Sequence, residues 1–325
     1  MNYINIIMDI SNNVFSYILY EQIKNKYKYN NNTCLHEIIS IVINNNKIKE
    51  ILDGKGYIHP MRKLQYIKLI ENVLKKYHLK NGIININLSD HPKTGVFNFC
   101  RNINDNNTFL LPDFRFTHDD IKLSNEWVDG KYNDFNETTI YLQSLHNEYK
   151  FENKINKLYT SCIPHISKLP YFVYALNNLN KCAGNMYGGS VHKYNNVNHD
   201  LICRLEKHNL ASKNFIPFIE HFKYKYIIYN DGNTLSNRMK LLLNVNSVII
   251  KQKSPYEEIY SYLMKNNIHF IEYSNVYELS DIYDNLENNS SLCKNIIENN
   301  KQFVMNTLNY ENILKYTVTL LNNII

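Results

Sequence analysis

The residues best suited to chemistry lie between His221 and Glu272, in HFKYKYIIYNDGNTLSNRMKLLLNVNSVIIKQKSPYEEIYSYLMKNNIHFIE. Asp231-Gly232-Asn233 reads as a turn, followed by Thr234, Ser236 and Arg238. A glycine turn feeding a helix N-terminus aims unpaired backbone N–H groups at one spot, which favours a bound anion. An arginine there adds a planar, permanently charged fork that matches phosphate oxygens. The same spacing also fits an ordinary βαβ unit with a surface arginine, and Ser236 fits a helix cap as well as a ligand contact. The residues alone leave these alternatives open.

The elements that must position this turn are legible from periodicity. FKYKYIIYN predicts a strand before it, and a helix opens near Thr234 or Ser236 with Arg238 in its first turn. VNSVII predicts the next strand, the segment with Glu257-Glu258 a helix, and IHFIEY a last strand. Lys223 and Lys225 alternate and so share one face of the first strand, while Tyr224 and Tyr226 read as core. Upstream, apolar residues recurring at three and four predict helices over 3–26, 35–52 and 59–79. Strands are expected over 83–88, 96–100 and 108–111, with Ser89-Asp90-His91-Pro92 closing the first. An Asp in that setting often caps a turn ahead of a proline. A polar stretch, Asp129 to Glu137, precedes an amphipathic segment from Thr138 to Glu148, which places a junction near Phe151. Beyond it, Lys157 to Cys162 predicts a strand and Pro170 to Asn177 a helix. Cys182 to His199 reads as a loop or insertion, and Lys294 to Ile325 as one or two helices. Helices alternating with strands make the fold class α/β.

Composition bounds the function. The chain of 325 residues has room for two domains and is 44% hydrophobic, as a globular protein should be. A net charge of +6 suits an acidic ligand without selecting one. The positive residues are scattered rather than gathered on one face, which argues against nucleic acid. Six cysteines at wide, irregular spacing carry no zinc signature and demand no disulfide. The N-terminal stretch has no signal-peptide pattern and no run reaches the ~18 apolar residues of a membrane span, so a cytoplasmic setting with reduced thiols is expected.

The order of pieces in the opening segment resembles glycosyltransferase family 90, the family of protein O-glucosyltransferases, xylosyltransferases and capsule-associated proteins. The pieces are Lys223-Tyr224-Lys225-Tyr226, Asp231-Gly232, Ser236-Asn237-Arg238, Ser247 to Lys251, Glu257-Glu258 and His269-Phe270-Ile271. The resemblance implies two Rossmann-like domains facing a cleft, a GT-B-type architecture. Residues 1–150 would form the acceptor-binding domain, with a C-terminal helix over 305–325 packing back on it. Residues 151–304 would bind the nucleotide sugar. Leu88-Ser89-Asp90-His91-Pro92 resembles the family segment N-x-x-D-x-P, which implies that Asp90 is the general base. A carboxylate suits that role, because an acceptor hydroxyl attacking an anomeric carbon must lose its proton.

Leu111-Pro112-Asp113-Phe114-Arg115-Phe116 is similar to a further family signature, with Phe114 better suited to core packing than to a sugar contact. Where the family shows an F-R-G-S-like strand end, this chain has Leu158-Tyr159-Thr160-Ser161-Cys162, and the Arg and Gly are missing. Thr160 and Ser161 could still bond phosphate, with Lys168 a substitute cation. The donor site implied is thus Thr160, Ser161, Asp231, Gly232, Ser236 and Arg238. The activity implied is inverting, metal-independent transfer of glucose or xylose from a UDP-sugar to a hydroxyl of a glycan or protein acceptor. No cofactor beyond the donor is expected. A different class remains: a non-catalytic binding or scaffold protein on a degenerate transferase fold. His118-Asp119-Asp120 could hold a divalent ion in another transferase fold, but no clear strand precedes it. His192 and His199 read as exposed rather than as metal ligands.

Overall fold

The computed structural model describes residues 15–29, 36–113, 116, 135–163, 165–187, 199–236 and 238–325. Two α/β halves carry one sheet each. The first half opens with helix α1 (Ser16–Lys24) and the strands β1 (Ile38–Asn44) and β2 (Lys47–Asp53). Residues 35–52, expected to be helical, thus form a hairpin. Its apolar residues are mostly β-branched, which suits a pleated sheet. Asn45 and Asn46 both adopt positive φ, 50° and 55°, as a tight two-residue hairpin turn requires.

Helix α2 (Pro60–Lys76) follows, started by Pro60 and by His59, whose Nδ1 accepts from the Arg62 N–H at 3.5 Å. Tyr66, Leu69, Ile70 and Val73 make its buried stripe. Next come β3 (Gly82–Asn87), β4 (Phe97–Asn98), β5 (Arg101–Asn102) and β6 (Phe109–Leu110), then helix α3 (Phe135–Ser144). The sheet order is β2-β1-β3-β4-β6, with β3, β4 and β6 parallel and the β1–β2 hairpin antiparallel at one edge.

The second half holds β7 (Ile155–Cys162), α4 (Leu169–Asn177), β8 (Cys182–Tyr187), α5 (His199–Lys207), β9 (Ala211–Ser212) and β10 (Tyr224–Tyr229). It continues with α6 (Met239–Leu242), β11 (Val248–Gln252), β12 (Tyr256–Glu257), β13 (Ile271–Tyr273), α7 (Leu279–Asn288), α8 (Ser290–Asn306) and α9 (Tyr310–Ile324). Six strands run parallel in the order β13-β11-β10-β7-β8-β9, so the chain order reverses between β7 and β10. This is the Rossmann strand order, and the reversal opens a crevice at the C-terminal strand ends where ligands bind.

Three expectations change here. Residues 182–187, expected in a loop, form β8; the glycine that suggested a loop lets strands approach, since a Cβ at Gly184 would lie 2.8 Å from the Thr160 carbonyl oxygen. The segment with Glu257-Glu258 is not an α-helix. Tyr256 and Glu257 pair with Asn102 and Arg101 instead, and Arg101 Nε donates to Glu257 Oε1 at 2.7 Å, so a partner from the first half overrides local pattern. The helix after the glycine turn is a single turn starting at Met239, with Arg238 preceding it rather than lying in it.

One face of the parallel sheet (Tyr159, Ile227, Tyr229, Ile249) joins the core of the first half in a continuous apolar cluster. The other (Leu158, Tyr226, Ile228, Val248) is covered by α4, α5, α7 and α8. Helix α9 lies against α1 and α2: Tyr316 OH accepts from Gln22 at 2.6 Å, and Tyr310 OH from Asn72 at 2.7 Å. Among the described residues, no helix is long and apolar enough to cross a membrane.

Candidate functional site

Both clusters of interest stand at C-terminal strand ends, and the fold brings them into contact. Asp90 lies just past β3. Its Oδ1 accepts from Arg62 Nη2 at 2.5 Å and its Oδ2 from Asn233 Nδ2 at 2.9 Å. Thr234 Oγ1 donates to the Asp90 carbonyl at 2.9 Å. The turn after β10 is therefore fastened to the loop after β3. Burial pushes the Asp90 carboxyl up, but the Asn233 amide and the Arg62 guanidinium outweigh it and hold the group below the usual carboxylate value. Asp90 is ionised at neutral pH.

On the other side of the crevice, Ser161 is the penultimate residue of β7 and Arg238 reaches it: Nη1 donates to the Ser161 carbonyl, and Nε to Ser236 Oγ at 3.1 Å. Ser236 thereby orients Arg238 and does not cap α6. Arg238 Nη2 and Ser161 Oγ are both buried without a hydrogen-bond partner. Groups of that kind cost free energy unless something pairs with them. Lys168 stands nearby, 8% exposed, and no hydrogen bond or ion pair of its ammonium is found among the described residues. Burial and the neighbouring Arg238 pull its pKa down to about 8, against a smaller pull upward from Cys162 and Asp231. Two cationic side chains at one strand end, with a buried N–H and a buried hydroxyl to spare, have the chemistry to receive a multiply charged anion.

Asp231 contributes differently. Its Oδ2 accepts from Ser254 at 2.5 Å, while Oδ1 is buried without a partner. Burial raises its pKa despite Ser254, Lys251 and Lys168. A carboxylate is a poor neighbour for phosphate but a good acceptor for hydroxyl groups. At Gly232, a Cβ would meet nothing within 4 Å, and its φ lies outside the left-handed range. Its own backbone needs no glycine, and the space beside it is open. Thr160 shares the helix-covered face with Leu158 and Cys162, because side chains alternate along a strand, so its hydroxyl turns away from Ser161. Of the six donor-site residues expected, five thus gather at the crevice.

Several contacts are not foretold by the sequence. Arg62 and Asn233 grip Asp90, and His165 Nε2 donates to Asn233 Oδ1 at 2.8 Å. Ser167 Oγ donates to the Asp231 carbonyl at 2.8 Å. Beneath the turn, Lys240 Nζ meets Asp113 Oδ1 at 3.2 Å with both side chains fully buried. Glu258 lies beside that pair, its pKa raised to about 7 chiefly by burial. No local motif signals these contacts, which join residues far apart in the chain. Lys223 lies in the turn before β10, paired with Glu220 at 2.8 Å, and Lys225 Nζ lies over the Phe151 ring. Phe114, Arg115, His118-Asp119-Asp120, His192 and Asn237 fall outside the described residues.

Protein 179R of Invertebrate iridescent virus 6, uncharacterized, is 31% identical over 112 residues, 31% of this chain and 9% of that protein. Anabaena HepE, solved in complex with UDP, superposes with a TM-score of 0.38 at 12% identity, over 56% of this chain and 54% of its own. A mutant of S. aureus TarM, solved with UDP among its ligands, gives a TM-score of 0.36 at 13% identity, over 64% of this chain and 49% of its own. The chain matches about half the length of these solved proteins and a small part of the viral one. The model of glycosyl transferase family 90 matches residues 83–324, well over half of the sequence, and the protein belongs to that family.

Proposed function

We propose that the protein is an inverting, metal-independent glycosyltransferase that moves glucose or xylose from a UDP-sugar to a hydroxyl of a glycan or protein acceptor. The observation that carries this reading is the pairing of an anion receptor with an ionised carboxylate. Arg238 Nη2, Ser161 Oγ and Lys168 stand at the switch point of a Rossmann-ordered sheet, and Asp90 of the first half is hydrogen-bonded to Asn233 and Thr234 in the turn after β10. The second half holds the donor and the first half the acceptor. Asp90 takes the acceptor proton as the new O–C1 bond forms. The C1–O bond to the diphosphate breaks on the opposite side, and its electron pair leaves with UDP. Arg238 and Lys168 stabilise the charge that develops there. One in-line displacement inverts the anomeric centre. Asp231, whose Oδ1 is buried and unpartnered, accepts from donor hydroxyls rather than touching phosphate.

A thermal-shift screen against UDP, GDP, CMP and their sugars, with and without Mn²⁺, tests this. Ligands that bind only the folded state raise its melting temperature. A UDP-dependent shift that needs no metal is expected. A shift that requires Mn²⁺ would contradict metal independence, and no shift with any nucleotide would favour a scaffold protein on a degenerate fold.

A further inference from the structure

We propose that Arg62 is a positioning residue: it aims the Asp90 carboxylate at the acceptor by tying it to the end of β3. The proposal rests on Asp90 acting as the general base. Arg62 lies ahead of the segment matched by the family model, residues 83–324.

The placement of Arg62 is unusual. It lies in the first turn of α2, two residues after Pro60. Cations are disfavoured there, because the helix dipole leaves partial positive charge at that end. Its guanidinium turns out of the helix and spans two acceptors. Nη1 donates to the Leu88 carbonyl at 2.7 Å and Nη2 to Asp90 Oδ1 at 2.5 Å. A planar fork held at two points fixes both the height and the rotation of the carboxylate, which a single ammonium cannot do. Asn233 holds the other oxygen, and His165 holds Asn233. The base is therefore clamped on one side by α2 and on the other by the donor turn.

Other groups face Asp90 as well. His59 comes from the start of α2, its pKa lowered by burial and by Arg62 and pulled upward by Asp90. His91 comes from the same loop, and Thr234 and Cys100 hydrogen-bond to the Asp90 carbonyl. Across Ser89, Lys93 and Glu37 pair with each other at 3.1 Å. Among these, Arg62 is the cation in direct contact with the carboxylate. Its loss must therefore raise the pKa of Asp90 as well as free its orientation.

The test combines two readouts on the intact protein. The carboxyl signal of Asp90, labelled with ¹³C and assigned by its absence in Asp90→Asn, is titrated in wild type, Arg62→Gln and Arg62→Lys. In parallel, transfer from the UDP-sugar found by the screen is measured against pH. In Arg62→Gln we expect unchanged UDP affinity, a carboxyl midpoint moved to higher pH, and an acid limb of kcat/KM moved the same way. The fall in kcat expected for a misaimed base is about 10²-fold. Arg62→Lys keeps the charge and the side-chain stem, so it should restore much of the titration and less of the rate. An Asp90 midpoint unmoved in both variants, or a kcat unmoved in a folded Arg62→Gln, overturns the proposal. Failure of the underlying reading would look different: Asp90→Asn would transfer at the wild-type rate while the Arg62-dependent titration persisted.

Discussion

Replacing Arg238 by alanine probes the donor site most directly. Its guanidinium spends two N–H groups on Ser161 and Ser236 and leaves Nη2 buried without a protein partner. A diphosphate placed against Ser161 Oγ and Lys168 would pair with that nitrogen. A hydrogen bond to a charged group contributes about 1.5–3 kcal/mol, so its loss should weaken UDP binding about 10- to 150-fold. The consequence for stability can be worked through. At a UDP concentration of about 100 times the wild-type Kd, the ligand stabilises the fold by about 2.7 kcal/mol. If Kd rises about 100-fold, the same concentration supplies only about 0.4 kcal/mol. Isothermal titration gives the affinity and melting curves give the stabilisation. Arg238 also ties β7 to the turn after β10, so melting without ligand must be measured alongside. A folded Arg238→Ala protein that binds UDP within about twofold of wild type would refute the reasoning, because a charge-assisted contact cannot be lost so cheaply.

Asp90→Asn should abolish transfer while leaving UDP affinity nearly unchanged, since the proposed role of Asp90 is toward the acceptor; a product assay beside a titration separates the two effects. Lys168 predicts a pH dependence. Its pKa of about 8 in the free protein means that it loses its charge as pH rises through that value. The phosphate groups of UDP are already ionised there, so affinity should hold to about pH 7, fall above about pH 8, and binding near pH 8 should take up a proton. Titrations in buffers of different ionisation enthalpy read that proton, and Lys168→Met should erase it. Between about 8 and the ordinary 10.5, the unfolded chain holds more protons at this site than the folded one, so the unliganded protein should gain stability with pH. Tyr316→Phe removes a hydroxyl that accepts from Gln22 at 2.6 Å and donates to the Leu110 carbonyl at 2.7 Å in a fully buried setting. The loss expected is about 1–3 kcal/mol in denaturant unfolding, and an unchanged midpoint would mean that α9 is not held by this bond.

Much of the fold is written locally. β-branched and aromatic runs specify β3, β7, β10 and β11, because each strand needs only its own apolar pattern to be buried on a sheet. The order of those runs, with Asp231-Gly232 after one and Asp90 after another, places the candidate residues at strand ends. Period alone misleads where one pattern serves two structures. Residues 38–53 satisfy helical spacing, yet a pair of asparagines at positive φ turns them into a hairpin. Glu257 looks like a helix surface until Arg101 supplies a strand partner.

The site itself divides in the same way. Residue types and spacing single out the Asp231-Gly232 turn, Ser236 and Arg238, and the family resemblance adds Asp90, Thr160 and Ser161, with Lys168 as the substitute for a missing cation. Only the tertiary structure decided which of them meet. It turned Thr160 away through strand alternation, left Arg238 Nη2 buried and unpaired, and brought Arg62 and Asn233 from opposite halves onto one carboxylate. The physical reason is range. Strand and turn preferences act over a few residues, whereas the charge and direction of a buried side chain are set by whichever groups the packed chain places within a few ångströms of it.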